Sequence, residues 1–225
     1  MEVNADFSRF VATDSTRLPW VSSPMPGVDR RMLDRIGEEV ARATTIVRYA
    51  ADSKFSAHTH GGGEEFLVLD GVFSDEHGDY GPGMYVRNPV GSSHTPFTRS
   101  GCTIFVKLWQ MREEDREFVR IDTRSPDARW EEGAADGIAV LPLFDAEDEH
   151  VYLTRYEAGT AQPPFEMAGG GEFLVLEGKV ESGGVGYGAG SWLRFPKGSR
   201  ADFTAPEKAL VWTKTGHLAG LGSGK

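Results

Sequence analysis

The stretch that decides the fold reads His58-Thr59-His60-Gly61-Gly62-Gly63-Glu64 and continues as Glu65-Phe66-Leu67-Val68-Leu69. Side chains two positions apart on a strand point to the same side of the sheet, so the imidazoles of His58 and His60 are expected to converge. Three glycines then permit a sharp turn that returns the carboxylate of Glu64 to the same point. The apolar run that follows predicts a buried strand.

A second group of residues follows at the spacing G-x5-P-x-G-x2-H, from Gly83 to His94. Pro89 and Gly91 predict a turn, after which His94 can bring a third imidazole to the first group. Three imidazoles and one carboxylate suit a single divalent metal ion. The predicted metal ligands are His58, His60, Glu64 and His94. The side chains expected to line a pocket beside them, because they share strand faces with Glu64 or His94, are Phe66, Val68, Pro96 and Thr98.

The two groups resemble the two signature motifs of the cupin superfamily, G-x5-H-x-H-x3-4-E-x6-G and G-x5-P-x-G-x2-H-x3-N. All four ligand positions are filled, whereas Asp52 stands in place of the leading glycine and Thr98 in place of the final asparagine. The longer run around them is similar to the cupin domain of the ChrR-type anti-sigma-factor family. That resemblance implies a jelly-roll barrel holding one divalent ion, with zinc as first choice and iron, manganese or nickel as alternatives.

The chain repeats itself at a shift of 107 residues, without a gap from Thr44 to Lys107. The strand Glu65–Leu69 recurs letter for letter as Glu172–Leu176, which predicts two copies of one domain. The four ligands do not recur. Their counterparts, in the same order, are Phe165, Met167, Gly171 and Ala201. The second copy is therefore predicted to bind no metal through this set and to have a structural role, the alternative being an apolar ligand in its own pocket.

Short β-branched and aromatic stretches between Gly and Pro turns, without helical periodicity, predict antiparallel strands. In the first copy these are Thr44–Ala50, Glu65–Leu69, Val72–Ser74, Met84–Arg87, Ser93–Phe97 and Thr103–Trp109. The predicted fold class is all-β, with two tandem cupin (jelly-roll β-barrel) domains and a short irregular N-terminal arm. The arm is placed at 1–43, the metal-binding domain at 44–110, a linker with extra strands at 111–139 and the degenerate domain at 140–225. Prolines argue against a helix in the arm. Its apolar residues, Trp20 above all, lead us to expect that it covers a sheet edge or pairs with a second subunit, the alternative being a partly disordered tail.

Composition excludes several classes of protein. The formal net charge of −10 argues against nucleic acid or an anionic membrane as a partner. The chain has a single cysteine, Cys102, and no apolar run of membrane-spanning length. The first residues lack the pattern of a secretory signal, so the cytoplasm is the expected location. A homodimer is expected because exposed sheet edges and the apolar arm need cover.

Comparing the two copies also distinguishes residues with a structural role from residues of the metal site. Arg87 recurs as Arg194 in the copy without ligands, which predicts a structural ion pair for Arg87 rather than a contact with substrate. Cys102 has no neighbouring constellation of a nucleophilic enzyme and is expected to be an inert buried thiol.

Three functions remain open from the sequence. The first is a metal-binding protein resembling the ChrR cupin domain that senses or binds a small molecule. The second is a metal-dependent dioxygenase of the diketone-cleaving type, as in other cupins with three histidines and a glutamate, or another small-molecule cupin enzyme. The third is a purely structural metal. The resemblance places sigma-factor binding in a separate N-terminal helical domain with its own His and Cys zinc ligands. Residues 1–43 contain neither Cys nor His and are interrupted by prolines, so sigma-factor binding is not supported. No catalytic residue beyond the ligands can be named.

Overall fold

The structure is a computed structural model that describes residues 1–221. Within these residues the regular elements are β-strands and one 3-10 turn at Ser15–Arg17. The strands up to residue 108 are β1 (Glu2–Val3), β2 (Val11–Asp14), β3 (Val21–Ser22), β4 (Val28–Gly37), β5 (Ala41–Tyr49), β6 (Ser53–Lys54), β7 (His58–Thr59), β8 (Glu64–Gly71), β9 (Phe73–Asp75), β10 (Gly78–Tyr80), β11 (Met84–Asn88), β12 (Ser93–His94), β13 (Phe97–Thr98) and β14 (Cys102–Leu108).

The later strands belong mainly to the second copy of the repeat. They are β15 (Val119–Asp122), β16 (Glu131–Glu132), β17 (Ile138–Asp145), β18 (His150–Tyr156), β19 (Thr160–Met167), β20 (Gly171–Glu177), β21 (Lys179–Ser182), β22 (Val185–Gly188), β23 (Ser191–Phe195), β24 (Ser199–Ala205) and β25 (Ala209–Thr215).

The chain divides into two compact units. Unit 1 contains Met1–Ala5 and Leu18–Pro126, and unit 2 contains Asp6–Arg17 and the residues from Asp127 onward. The large sheet of unit 1 has the order β1-β4-β5-β14-β8-β11-β15, with β3 beside β4, and smaller sheets run β10-β9-β13-β6 and β12-β7. Unit 2 has one sheet in the order β16-β17-β18-β25-β20-β23-β2 and another in the order β19-β24-β21-β22. The all-β double-barrel fold predicted from the sequence is confirmed.

The interior of unit 1 is packed with aromatic rings from alternate strand positions. Phe66 on β8 lies 4.9 Å, between ring centroids, from Phe73 on β9, and Tyr49 on β5 lies 5.2 Å from Phe55. Rings at such distances form tilted or edge-on pairs. Fully burying a side chain of this kind contributes roughly 1.5–3 kcal/mol. The inward face of β8 therefore contributes to the packed core of the unit that carries the three histidines.

The repeat is preserved in the backbone conformation. Gly71, after β8, has φ +71°, and its counterpart Gly178 has φ +68°. A Cβ atom at either position would overlap the backbone carbonyl of the neighbouring strand, at Gly101 or Lys208. Glycine is required at both positions for conformational and steric reasons.

The segment predicted as an irregular arm contains strands. β4 and the start of β5 fall inside residues 1–43, and β4 pairs with β5 along its length. β4 was not predicted from the sequence because its charged residues suggested a solvent-exposed segment. These residues are Arg30, Arg31, Asp34 and Arg35. Asp34 is in fact fully buried and accepts a hydrogen bond of 3.0 Å from the backbone N–H of Thr44.

The predicted domain limits also differ from the units, because each large sheet takes a strand from elsewhere in the chain. β2 pairs with the edge of β23 in unit 2, with Val11 opposite Arg194. β15 pairs with β11 in unit 1, with Val119 opposite Arg87. These registers are equivalent, since Arg87 and Arg194 are counterparts in the repeat. The N-terminal segment thus covers a sheet edge, one of the roles expected for it.

Other limits differ in detail. The single strand expected at Ser93–Phe97 is split into β12 and β13 around Pro96, which has no N–H to donate to a ladder. The end of the predicted second domain, 222–225, lies outside the described residues. Across residues 1–221, the structure has no helix with the length and apolar character needed to cross a membrane.

Candidate metal centre

Three histidine side chains converge at one end of unit 1. β7 pairs with β12 so that His58 lies opposite His94, with their ring centroids 4.9 Å apart. His60 follows β7, and its ring centroid is 5.0 Å from that of His58 and 4.8 Å from that of His94. One nitrogen from each ring lies within 4.8 Å of the others, so the three could share a metal ion.

Backbone hydrogen bonds fix the loop that presents His60. Its N–H donates to the carbonyl of Ser92 over 2.9 Å, and its carbonyl accepts from the N–H of Gly91, also over 2.9 Å. The N–H of Gly63 donates to the same carbonyl over 3.3 Å, and Gly63 has φ +74°. The glycines therefore close a tight turn that only residues without a side chain readily adopt.

Trp109 covers this glycine loop. A Cβ atom at Gly61 would lie 2.8 Å from the Trp109 ring, and one at Gly62 would lie 2.5 Å from it. Trp109 is 45% exposed and has φ +58°, an uncommon conformation for a bulky residue. Its counterpart at the shift of 107 is Gly216, with φ +88°. The backbone shape is thus common to both units, whereas the covering indole belongs to the unit with the histidines.

Glu64, predicted as the fourth ligand, lies against two of the three imidazoles. Its Oε2 atom is 3.5 Å from Nε2 of His60 and 3.7 Å from Nε2 of His94. The same oxygen accepts a hydrogen bond of 2.9 Å from Nδ2 of Asn88. The carboxylate is therefore held in place beside the nitrogen atoms.

The Nε2 atoms of His60 and His94 are buried and have no hydrogen-bond partner. Leaving a buried polar atom unsatisfied costs about 1–3 kcal/mol, which makes such atoms uncommon in folded proteins. A cation between these nitrogens and the Glu64 carboxylate would satisfy both of them. The donor set of imidazole nitrogens and one carboxylate oxygen fits a divalent transition metal or zinc.

The protonation of two histidines is set by burial and nearby charge. Burial lowers the pKa of His60, and this effect outweighs the opposing carboxylate of Glu64. Burial also acts to lower the pKa of His94, but its hydrogen bond to Asp75 and the carboxylates of Glu64, Asp75 and Glu76 raise it overall. Metal binding requires the neutral imidazole nitrogen, so a bound ion would displace a proton more readily at His60 than at His94.

Asp75 orients the ring of His94. Its Oδ2 atom lies 3.1 Å from Nδ1 of His94, which leaves Nε2 pointing toward His60 and Glu64. Burial opposes ionisation of Asp75, but hydrogen bonds from His94, the backbone of His77 and Tyr80 lower its pKa. A carboxylate on the far nitrogen of a ligating histidine is a common feature of metal sites, where it fixes the tautomer.

The four side chains predicted to line a pocket are buried. Phe66 and Val68 are part of the packed core of unit 1. Pro96 and Thr98 are also buried, and the hydroxyl of Thr98 donates to the carbonyl of Val72 over 2.6 Å. His58, in contrast, is exposed, so the three-histidine group can be reached from the side of His58.

The corresponding place in unit 2 is apolar. Met167 and Ala201 are buried in its core, and Phe165 packs against the same cluster. A Cβ atom at Gly171, the counterpart of Glu64, would lie 2.6 Å from Sδ of Met167. The thioether therefore lies where a side chain at Gly171 would begin, and these positions offer no metal donor set.

Arg87 and Cys102, which the sequence predicted to be structural, have the environments expected of them. Arg87 is buried and lies 3.2 Å from Glu65, with a second carboxylate contact to Asp115. Cys102 is a buried free thiol whose pKa is raised to about 11 by burial.

Three polar residues beside the proposed ligands were missed in the sequence: Asp75, Asn88 and Arg120. The repeat held a signal for two of them, because Asp75 and Asn88 become Ser182 and Phe195 in the unit without ligands.

Two antiparallel barrels of equivalent register, one of which carries a three-histidine group, define a two-domain cupin. The chain belongs to the ChrR cupin-like domain family, whose model matches residues 8–112 and 119–219. Each matched segment begins near a strand that pairs into the sheet formed mainly by the other segment: β2 in the sheet of unit 2 and β15 in the sheet of unit 1. Among curated proteins, no sequence matches the chain at a significant level.

Solved structures resemble the whole fold at low sequence identity. A protein of Nostoc punctiforme provisionally named a dioxygenase has a TM-score of 0.77 at 13% identity, over 96% of this chain and 86% of that one. The pirin YhhW of Escherichia coli, solved with nickel(II), has a TM-score of 0.66 at 14% identity, over 92% of this chain and 98% of that one. A deletion mutant of Bacillus subtilis oxalate decarboxylase has a TM-score of 0.58 at 12% identity, over 91% and 76%. At these identities the likeness shows the fold.

Proposed function

We propose that the chain is a metal-binding two-domain cupin that holds one divalent ion in unit 1 and binds a small molecule at that ion. The proposed ligands are His58, His60, Glu64 and His94. The observation that carries the proposal is the pair of buried Nε2 atoms, on His60 and His94, that have no hydrogen-bond partner and lie within 3.7 Å of the Glu64 carboxylate. Binding of a cation is the simplest way to satisfy both nitrogens.

Zinc is the proposed ion. Nitrogen donors with one carboxylate are a usual zinc set, and membership of the ChrR cupin-like family supports the same choice. Affinity alone does not select among divalent metals, so iron, manganese and nickel are the competing outcomes of a metal analysis. The nickel(II) complex of the E. coli pirin concerns a protein with the same fold.

Access to the proposed ion is from the side of His58. That ring is exposed, whereas the side chains below the site are packed in the core. When bound, a divalent ion acts as a Lewis acid toward an oxygen atom of a ligand. The chain's own residues would orient the donor set and keep water away from its buried side. A small molecule with an oxygen donor, such as a carboxylate or an enolate, is the proposed ligand class.

The second candidate is a metal-dependent dioxygenase of the diketone-cleaving type. The fold likeness to the Nostoc protein provisionally named a dioxygenase supports it. So does the donor set, because three histidines and a glutamate leave open positions on a six-coordinate ion. Oxygen uptake by the iron-loaded protein with a β-diketone would favour this candidate, and no uptake above that of the His60→Ala variant would exclude it for that substrate.

Metal content tests the main proposal. The parent protein, isolated without added chelator, is expected to hold about one equivalent of a divalent ion, as most structural and catalytic sites of this kind do. His60→Ala removes a donor and is expected to lose most of the metal. Met167→Ala, at the counterpart position in unit 2, is expected to reduce stability but to keep the parent stoichiometry. A parent without metal, or a His60→Ala variant that binds like the parent, would contradict the proposal.

The other expectations drawn from the sequence remain predictions. They are a homodimer, a cytoplasmic location and the lack of nucleic-acid and membrane partners.

A further inference from the structure

Two of the proposed metal ligands are joined by a chain of hydrogen bonds that passes through Arg120. Nδ2 of Asn88 donates to Glu64 over 2.9 Å, and Arg120 donates from Nη2 to Oδ1 of the same Asn88 over 2.8 Å. Nε of Arg120 donates to the hydroxyl of Tyr80 over 3.3 Å. The guanidinium therefore reaches one metal ligand through a single intervening amide.

The other half of the chain leads to His94. The Tyr80 hydroxyl donates to Oδ1 of Asp75 over 3.1 Å, and Oδ2 of Asp75 lies 3.1 Å from Nδ1 of His94. All members except Arg120 are at most 6% exposed. The members of this chain, referred to below as the Arg120 relay, are Glu64, Asn88, Arg120, Tyr80, Asp75 and His94.

The guanidinium is held by backbone carbonyls of its own strand, β15, and of the neighbouring strand, β11. Nη1 of Arg120 donates to the carbonyl of Arg87 over 3.1 Å and to that of Val119 over 2.9 Å. These backbone contacts aim the remaining donors, Nε and Nη2, at Tyr80 and Asn88. A planar guanidinium can hold two partners at once in this way, whereas a lysine ammonium is a point charge without a fixed fork.

The repeat shows which members of the relay accompany the ligands. Asp75 becomes Ser182 and Asn88 becomes Phe195. Arg120 lies opposite Val86 on β11, and the equivalent position opposite Leu193 on β23 is Ala12. In the same comparison the structural pair of Glu65 and Arg87 is retained as Glu172 and Arg194.

We propose that Arg120 is a positioning residue for the metal centre, which sets the orientation of Glu64 through Asn88 and of His94 through Tyr80 and Asp75. This inference rests on the proposed metal-binding function. It explains why Arg120, Asn88 and Asp75 differ in the unit that also lacks the four ligands. Outer partners that orient ligands typically change metal affinity by 10–100-fold when removed.

The test compares Arg120→Ala with Arg124→Ala in the full-length protein. Arg124 belongs to the same segment and its substitution removes the same charge, but its side chain is exposed, with its stem lying beside Gly83. Both variants would be stripped of metal and titrated with Zn(II) against a chromophoric chelator, and with Co(II) while the visible spectrum is recorded. We expect Arg120→Ala to bind Zn(II) roughly 10–100-fold more weakly and to show an altered Co(II) spectrum. We expect Arg124→Ala to match the parent in both.

Further variants separate positioning from folding. Arg120→Lys keeps the charge without the fork and is expected to bind more tightly than Arg120→Ala but more weakly than the parent. If Arg120→Ala does not fold, Arg120→Met keeps the aliphatic stem and carries the same expectation. Parent-like affinity and spectrum in the variant without the guanidinium would overturn the inference alone, provided that His60→Ala has lost the metal. Failure of the parent to bind Zn(II) or Co(II) would overturn the proposed function and the inference together.

Discussion

At the scale of single residues, the convergence of His58, His60 and Glu64 could be predicted from the sequence because their spacing is a local property. His58 and His60 are separated by one residue, and Glu64 follows a glycine turn, so strand geometry alone brings them near each other. Asp52 shows how a departure from a motif can be accommodated. It stands where the cupin motif has glycine, and it has φ +57°, which aspartate tolerates better than most residues. Its counterpart in the second copy is Gly159, with φ +81°.

Residues that act through other residues could not be found in this way. The contact of Arg120 with Asn88 spans 32 positions and depends on a strand that pairs with β11. A contact over this distance in the chain cannot be predicted from a local sequence pattern. The same is true of Trp109, whose indole covers the glycine loop through an uncommon backbone conformation. The sequence predicts which donors assemble, and the tertiary structure determines what holds them in place.

Gly62 provides a test of that cover. A methyl group there would lie 2.5 Å from the Trp109 ring and 2.6 Å from its Cα, so Gly62→Ala must displace the tryptophan. Overpacking of this kind typically costs about 1–3 kcal/mol of unfolding free energy. We expect Gly62→Ala to melt at a lower temperature than the parent and to bind metal more weakly, since the loop joins His60 to Glu64. Gly81→Ala, where nothing lies within 4 Å of the added atom, is the matched control. Equal melting temperatures for the two variants would show that the cover is not rigid.

At the scale of elements, the sequence predicted the strands that are apolar and missed those that are charged. The strand expected at Thr44–Ala50 is β5 (Ala41–Tyr49), and that expected at Thr103–Trp109 is β14 (Cys102–Leu108). β4 was missed because several of its residues are charged, including Asp34, which is buried and lies opposite Thr44 of β5. A repeat signal existed before residue 44, where Trp20 and Gly27 correspond to Trp130 and Gly137 at a shift of 110. Because the offset between the two copies changes from 110 to 107 residues, a comparison without gaps does not detect this earlier match.

The segment that reaches unit 2 from the N-terminus yields a prediction about stability. Phe7 is 3% exposed, and the guanidinium of Arg194 lies 4.0 Å above its ring. Truncating a buried phenylalanine to alanine typically costs 3–5 kcal/mol. We expect Phe7→Ala to lower the free energy of unfolding by about that amount, measured by chemical denaturation, while the folded protein keeps the parent metal stoichiometry because all ligands belong to unit 1.

Phe118→Ala is the control for Phe7→Ala. Phe118 lies immediately before β15 and is 60% exposed. Substitutions at exposed positions usually change stability by about 0.5 kcal/mol or less. A Phe7→Ala variant no less stable than Phe118→Ala would mean that the N-terminal segment adds little to unit 2.

At the scale of the whole molecule, the two units retain one scaffold and differ in chemistry. Turn glycines, the buried pair of Glu65 and Arg87, and the registers of β15 and β2 are common to both. The proposed ligands and most members of the Arg120 relay are confined to unit 1. The sequence predicted this asymmetry, because a gap-free repeat separates positions that the fold requires from positions that only one site requires. The sequence could not predict that β2 joins the large sheet of unit 2 or that β15 joins the large sheet of unit 1, since strand pairing between distant segments is not a local property.

The most direct test of a single metal centre in unit 1 is a crystal structure of the full-length protein, with diffraction recorded above and below the absorption edge of the metal found in it. We expect one anomalous peak per chain, among His58, His60, Glu64 and His94, and none beside Met167. A peak in unit 2, or no peak among the three histidines of a metal-loaded crystal, would contradict the claim that only the first of the two units binds an ion.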